Sequence, residues 1–341
     1  MSSRQRILPL DYLRGFAIIL VIIVHSILTH PVDISHIEWC YVLKRWINTT
    51  HLPTLFFVSG CVWSCRDIKT YYIKKTERIF VPYLFISLLA GLMHTLGLSI
   101  VNKHYDIYSL LSMIVNGKTA WFLYVLFAMF LVYPVINKLF KTNRMKLGLA
   151  IALMLLLPLF YFPEKYCLHL FTYYLPYFIL GTCVSGLFTK HYTKSQLLLF
   201  ASVCLVVYIV IFYHTINMSA HQLHCLRYIR ALLMISFFSS LFIYYDTYFI
   251  GKSKLSNGIF SALEVCSTYS LQIYMFNGFW LVLLRTLFCS YLHVRHPLII
   301  LTVLPTLNIL ISILICKYIL PKSSLLNWLC GNGKLRKTSR T

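Results

Sequence analysis

An arginine and a histidine lie 11 residues apart, at Arg14 and His25, inside an apolar stretch running from Leu8 to Thr29. At 100° per residue the two side chains differ by about 20° after whole turns, so on a helix they share one stripe. A rise of 1.5 Å per residue separates them by about 16 Å along the axis. A charge at membrane depth costs from about 3 to about 15 kcal/mol, which makes each one a functional candidate. Histidine accepts and returns protons near neutral pH, and arginine holds anions. Alone, Arg14 fits a side chain that snorkels to the interface, and His25 fits a core histidine bonded to a neighbouring helix. Together on one stripe they favour a working site. Asp11, three residues before Arg14, is positioned to pair with it.

Two further clusters could join them. In YIKKTERIFVPY, residues 72 to 83, Lys74, Lys75 and Arg78 form a cationic group, and Pro82 falls in the first turns of the helix expected from residue 79. The group fits a phosphate grip or a topological anchor, and the residues by themselves favour the anchor. In HLPTLFFVSG, His51 opens an apolar helix and could face a polar acceptor or sit wetted at an interface. Ser59 and Gly60 would let a neighbouring helix approach closely. Glu264, Gln272, Asn277 and Arg285 make one late segment the most polar; it lines an acceptor cavity or packs through hydrogen bonds at the bundle centre. Arg227 and Arg230, one turn apart, could hold an anion or pair with Glu264, and structural pairing is the better fit. HQLHC, with His221 and His224, lacks a nearby carboxylate, and no metal site is expected.

The elements that position these groups follow from composition. Of the 341 residues 59% are hydrophobic and only 12% charged, too few charges to coat a water-exposed surface. Uncharged runs of spanning length recur, among them Leu147 to Phe162, Leu197 to Tyr213 and Pro297 to Ile315. The reading is all-α: a polytopic membrane bundle of about ten transmembrane helices, at 8–29, 49–65, 79–100, 120–139, 147–163, 168–188, 197–213, 226–245, 262–288 and 297–319. Residues 1–321 form the membrane domain and 322–341 a basic, mobile tail. The first stretch is too long for a signal h-region and carries Arg14, so it reads as a spanning helix. The 11 cysteines are scattered without a Cys-x-x-Cys pair and read as small core residues.

The formal charge of +22 invites a nucleic-acid partner, and its distribution argues against one. With these segments, 20 of the 31 lysines and arginines fall on one side of the membrane and six on the other. That asymmetry is topogenic and puts both termini in the cytoplasm. It also puts Arg14 and the Lys75/Arg78 cluster on the cytoplasmic side, with His25 beyond the midplane.

Taken in order, these stretches resemble acyltransferase family 3, the bacterial membrane O-acyltransferases that modify surface sugars. RILPLDYLRGFAIILVIIVHS resembles the family's first helix, with its Asp, its Arg-Gly and a His eleven after the Arg. HLPTLFFVSGCV resembles the Pro-x-x-Phe-Phe-x-Ser-Gly signature, and His51 the sugar O-acetylase branch. KTERIFVPY resembles the basic-x-x-Arg-x-x-x-Pro motif, AWFLYVLFAMFLVYPVI the Trp-Phe-Leu helix, and STYSLQIYMFNGF the late Ser-Leu-x-Ile-Tyr segment. Two positions depart from the pattern: Asn277 stands where many members have His, and Lys75 where Arg is common.

The resemblance implies transfer of an acetyl or other acyl group from cytoplasmic acyl-CoA to a carbohydrate hydroxyl, with Arg14 and His25 the essential pair. Lys74, Lys75 and Arg78 would hold the acetyl-CoA donor, and His51, Glu264 and Asn277 would face the acceptor. The implied setting is a bacterial inner membrane, with a surface polysaccharide or lipid-linked sugar as acceptor, membrane lipids around the chain, and self-association left open. The rival is a multi-helix transporter of a sugar or small anion, which predicts inverted repeats that the sequence does not display.

Overall fold

The computed structural model describes residues 6–28, 32–95, 107–223, 225–251 and 254–332, and among them every regular element is helical. The α-helices are α1 (Leu8–Leu28), α2 (Glu38–Cys61), α3 (Ile68–Lys75), α4 (Val81–Thr95), α5 (Ile107–Val115), α6 (Trp121–Leu139), α7 (Asn143–Leu156), α8 (Leu168–Val184), α9 (Lys194–Thr215), α10 (Ala220–Leu223), α11 (Leu226–Tyr248), α12 (Lys254–Thr268), α13 (Ser270–Arg285), α14 (Pro297–Leu314) and α15 (Ser324–Leu329). Seven helical spans among the described residues are long and apolar enough to cross a membrane: Leu8–Ile27, Trp121–Leu139, Lys165–Thr189, Lys194–Thr215, Leu226–Tyr248, Ser270–Tyr291 and Pro297–Lys322.

The other three expected spans differ from expectation. Helix α2 starts at Glu38 rather than residue 49, and its first half carries Lys44 and Arg45. Helix α7 has 14 residues, about 21 Å, less than a hydrocarbon core. The segment expected at 79–100 begins much earlier. Asp67 caps α3, its carboxylate accepting from the Thr70 N–H at 2.8 Å. The chain then runs through a π-helical stretch, Thr76–Phe80, directly into α4. Pro82 therefore lies inside a continuous helical run rather than in its first turn. It offers no N–H to the Arg78 carbonyl, and the wider π turn absorbs that mismatch.

The segment expected at 262–288 is two helices. They break at Tyr269, φ −100° and ψ 15°. Thr268 Oγ1 folds back onto the Glu264 carbonyl at 2.9 Å, and Ser267 Oγ leaves its helix to donate to Asp11 at 2.9 Å. Hydroxyls that compete with the backbone ladder in this way bend helices. Glu264 thus belongs to α12, while Gln272, Asn277 and Arg285 belong to α13.

The expected mobile tail is packed as far as it is described. Ser323 caps α15, Cys330 is buried, and Gln272 Nε2 donates to the Cys330 carbonyl and to Asn332 Oδ1, both at 2.8 Å. Residues 333–341 lie outside the described residues.

Helix α1 is the centre of the bundle. Two-thirds (67%) of its span is buried, against 22% for α9, and it packs on α2, α11, α12, α13 and α14. Helices α2 and α8 meet backbone to backbone: a Cβ on Gly60 would lie 2.1 Å from the Phe178 carbonyl oxygen, and one on Gly181 2.0 Å from that of Phe57. Small residues at such crossings supply the close contact that membrane helices need in place of a hydrophobic drive. All 11 cysteines are free thiols and most are buried.

Candidate active site

His25 occupies the last turn of α1 and Arg14 its second. The flanking Val24 and Ser26 are buried, yet the His25 side chain is accessible to solvent. Across from it on α2 lies His51, buried and within electrostatic reach of His25. His51 Nδ1 is 2.6 Å from the Ile47 carbonyl oxygen. A carbonyl only accepts, so Nδ1 carries the hydrogen and Nε2 remains as the basic nitrogen.

At the other end of α1 is a pocket of about 330 Å³ lined by Arg6, Asp11, Arg14, Cys61, Val62 and Ser64, with Leu10 and Ile7 beneath. The pairing expected between Asp11 and Arg14 is not the one that forms. Asp11 Oδ2 takes Arg6 Nε at 2.5 Å and Oδ1 takes Ser267. Arg6 Nη1 also reaches Glu264 at 3.4 Å. Two carboxylates on different helices outcompete an i, i+3 contact because Arg6 can bond both at once. Among the described residues Arg14 has no ion pair, and it lines the pocket. Gly15 explains how α12 reaches this point: a Cβ there would fall 2.0 Å from the Leu263 carbonyl oxygen.

The same contacts bear on two expectations. Glu264 sits at the Arg6 end of the bundle, away from His51, and pairs with neither Arg227 nor Arg230. Arg230 instead donates to Thr215 Oγ1 at 3.2 Å and lies over the Phe212 ring, and Arg227 lies 4.2 Å above the Tyr173 ring. Asn277, also expected to face an acceptor, is buried and accepts from Asn308 Nδ2 through its side-chain oxygen at 3.1 Å, bolting α13 to α14.

The basic cluster divides by exposure. Lys74 and Arg78 are exposed, while Lys75 turns inward and places Nζ 3.6 Å from the centre of the Phe130 ring. Burial first, then the nearby charges of Arg78 and Arg14, push the Lys75 ammonium down to about 8. Arg14 from α1, Lys75 from α3 and Arg78 from the π turn are therefore electrostatic neighbours, although 61 residues separate the first two in the chain. Like charges gathered this way gain most from a multiply charged anion.

Arg285 is a residue whose role the sequence left open. It is fully buried, and its two terminal nitrogens donate to the carbonyls of Ser26 and Val32. The only advance signal was its charge within an apolar helix. No group of metal-ligating side chains occurs among the described residues; His224 of HQLHC lies outside them.

The profile of the family described as an acyltransferase domain matches residues 7–320, a range that includes Arg14, His25, His51, Lys75, Arg78 and Arg285. No curated protein and no solved structure matches the chain. The matched range covers nearly the whole of a helical membrane bundle, so acyl transfer is the activity of the bundle itself. The chain is a membrane acyltransferase and belongs to acyltransferase family 3.

Proposed function

We propose that the protein moves an acetyl or similar acyl group from cytoplasmic acyl-CoA to a hydroxyl of a surface polysaccharide or lipid-linked sugar. The observation that carries this reading is the two-ended helix α1: a cationic pocket at Arg14 and an accessible histidine about 16 Å farther along the same stripe. That length suits a slender chain ending in a thioester. The excess of basic residues near the Arg6 end supports a cytoplasmic donor side, with about ten crossings and both termini inside, in a bacterial inner membrane.

Arg14, Lys75 and Arg78, with exposed Lys74, hold the phosphates of the donor; the charge of Lys75 serves although its single ammonium lacks the fork of an arginine. His25 then works in one of two ways. As general base it takes the proton of the acceptor hydroxyl while that oxygen attacks the thioester carbonyl, the C–S bond breaks, and His25 returns the proton to the leaving sulfur. As nucleophile its ring nitrogen forms the new bond to the acyl carbon, the thiol leaves, and the hydroxyl later displaces His25. In the second route His51 Nε2, free of hydrogen because Nδ1 carries it, takes the proton of the attacking hydroxyl.

The test is the full-length His25→Ala protein in inner-membrane vesicles with radiolabelled acetyl-CoA. Label should no longer reach glycolipid or polysaccharide. Transfer at the wild-type rate would sink both versions of the chemistry, and label crossing without becoming covalently attached would mark a carrier instead.

A further inference from the structure

At the end of the bundle opposite Arg14 a second pocket, of about 310 Å³, opens between the N-terminal turns of α8 and α11 and the chain leaving α7. Its position follows from α8: Gly181 touches the Cys61 backbone at the donor mouth, and His169 is twelve residues, or about 18 Å, back along the same helix. Arg227, Glu164, His169 and Tyr173 line it, with Tyr161 and Phe160 at the rim.

Four features distinguish it from a surface crease. The Arg227 guanidinium is seated on the Tyr173 ring at 4.2 Å, which fixes a long side chain in the pocket wall. His169 Nδ1 and Arg227 Nε are buried and make no hydrogen bond to the described residues. The turn carrying Glu164 into α8 holds two successive non-glycine residues in the left-handed region, Tyr166 at φ 57° and Cys167 at φ 51°. Asn116 secures that turn, its side-chain oxygen accepting from the Tyr166 N–H at 3.3 Å and its carbonyl from Cys167 Sγ. Strained backbone kept in place by outside contacts is typical of binding sites.

The volume is at the lower end of small-molecule sites. Ring faces beside convergent hydrogen-bonding groups suit a ligand with apolar C–H faces and a rim of hydroxyls. Arg227 and Glu164 carry opposite charges, so the pair selects hydroxyls over net charge. We propose that this pocket binds one neutral pyranose unit of the carbohydrate acceptor, a proposal that rests on the acyl-transfer reading for its purpose but not for its measurement. The wall leads to the chemistry: Tyr173 packs on Tyr174 at 4.6 Å, and Tyr174 stacks on Phe56 at 4.6 Å, on the helix that carries His51. A sugar there is held one helix from the His25–His51 pair, on the side away from the donor.

The experiment is saturation-transfer NMR on the full-length protein in nanodiscs, without sugar-based detergent. The probes are methyl α-glucoside, α-galactoside and α-mannoside, with glucuronate as the anionic comparison. At least one neutral glycoside should receive saturation at its ring C–H protons and exceed glucuronate. The signal should fall at least fivefold in Arg227→Gln and in Glu164→Gln, the latter an exposed position that leaves the fold intact. It should persist in His25→Ala. No signal from any glycoside, a signal unchanged in both pocket variants, or stronger binding of glucuronate would overturn the proposal. Binding by a wild-type protein that transfers no acyl group would overturn the acyl-transfer reading and leave the pocket assignment standing.

Discussion

Arg285 and Ser26 tie the far end of helix α1 to α13: the buried guanidinium donates to the Ser26 carbonyl from one nitrogen and to the Val32 carbonyl from the other. Ser26 follows His25 directly. The last carbonyls of a helix lack intrahelical partners, and here a cation supplies them. His25 is therefore oriented by a residue 260 positions later in the chain.

Arg285→Lys keeps the charge but cannot serve both carbonyls. It should lower kcat about tenfold, in line with loss of one charge-assisted hydrogen bond, and leave the KM for acetyl-CoA near wild type. Steady-state rates over a range of acetyl-CoA concentrations check this. A rise in KM with kcat unchanged would mean that the residue serves the donor pocket and not His25.

If Lys75 holds the donor as proposed, acyl-CoA binding should be sensitive to pH. With its ammonium depressed to about 8, the side chain is charged below that pH and neutral above it. The KM for acyl-CoA should therefore rise as pH goes from 7 to 9, and Lys75→Arg, charged throughout, should flatten the profile. The stability effect has the opposite sense. Between pH 8 and the ordinary lysine value the unfolded chain binds the extra proton, so the Lys75 contribution to stability increases with pH there. Thermal melts of the wild type and Lys75→Arg at pH 7 and 9 separate this from the KM effect.

Gly60→Ala tests the contact of α2 with α8. The added methyl would meet the Phe178 carbonyl, and overpacking of this kind destabilises by about 1–3 kcal/mol. Gly148→Ala in α7 meets nothing within 4 Å and provides the control. Melting of both variants in nanodiscs should show a lowered midpoint for Gly60→Ala alone.

Asn277→Ala removes the side-chain oxygen that accepts from fully buried Asn308 Nδ2 and leaves it only the residue 277 carbonyl at 3.2 Å. Stability should fall by about 1–2 kcal/mol, with kcat and the acceptor KM unchanged in the protein that remains folded. A selective rise in the acceptor KM would restore Asn277 to the acceptor side.

How much of this was legible in advance depends on the range of each interaction. The stripe from Arg14 to His25 needs only helix geometry, and the membrane setting needs only the scarcity of charge; both can be read along the chain. The role of Gly60 at a close crossing was legible for the same reason, since a glycine beside a serine on an apolar helix has few other uses. The errors began where two local rules competed with a distant partner. Asp11 was expected to take Arg14 across one turn, but Arg6, with Glu264 from α12, made the better arrangement. The polar segment from Glu264 to Arg285 looked continuous because its hydroxyls gave no sign of which backbone or carboxylate they would bond.

The sequence by itself determined that this chain enters a membrane as helices, sets Arg14 and His25 on one stripe of its first helix and carries a basic cluster at Lys74, Lys75 and Arg78. Only the tertiary structure decided that Lys75 turns inward beside Arg14, that Arg285 orients the end carrying His25, and that α7, α8 and α11 enclose a pocket at the opposite end. Periodicity reports which face of a helix is polar, because successive residues are bound by one covalent geometry. It carries no information on which helices meet, since that is set by packing among segments hundreds of residues apart.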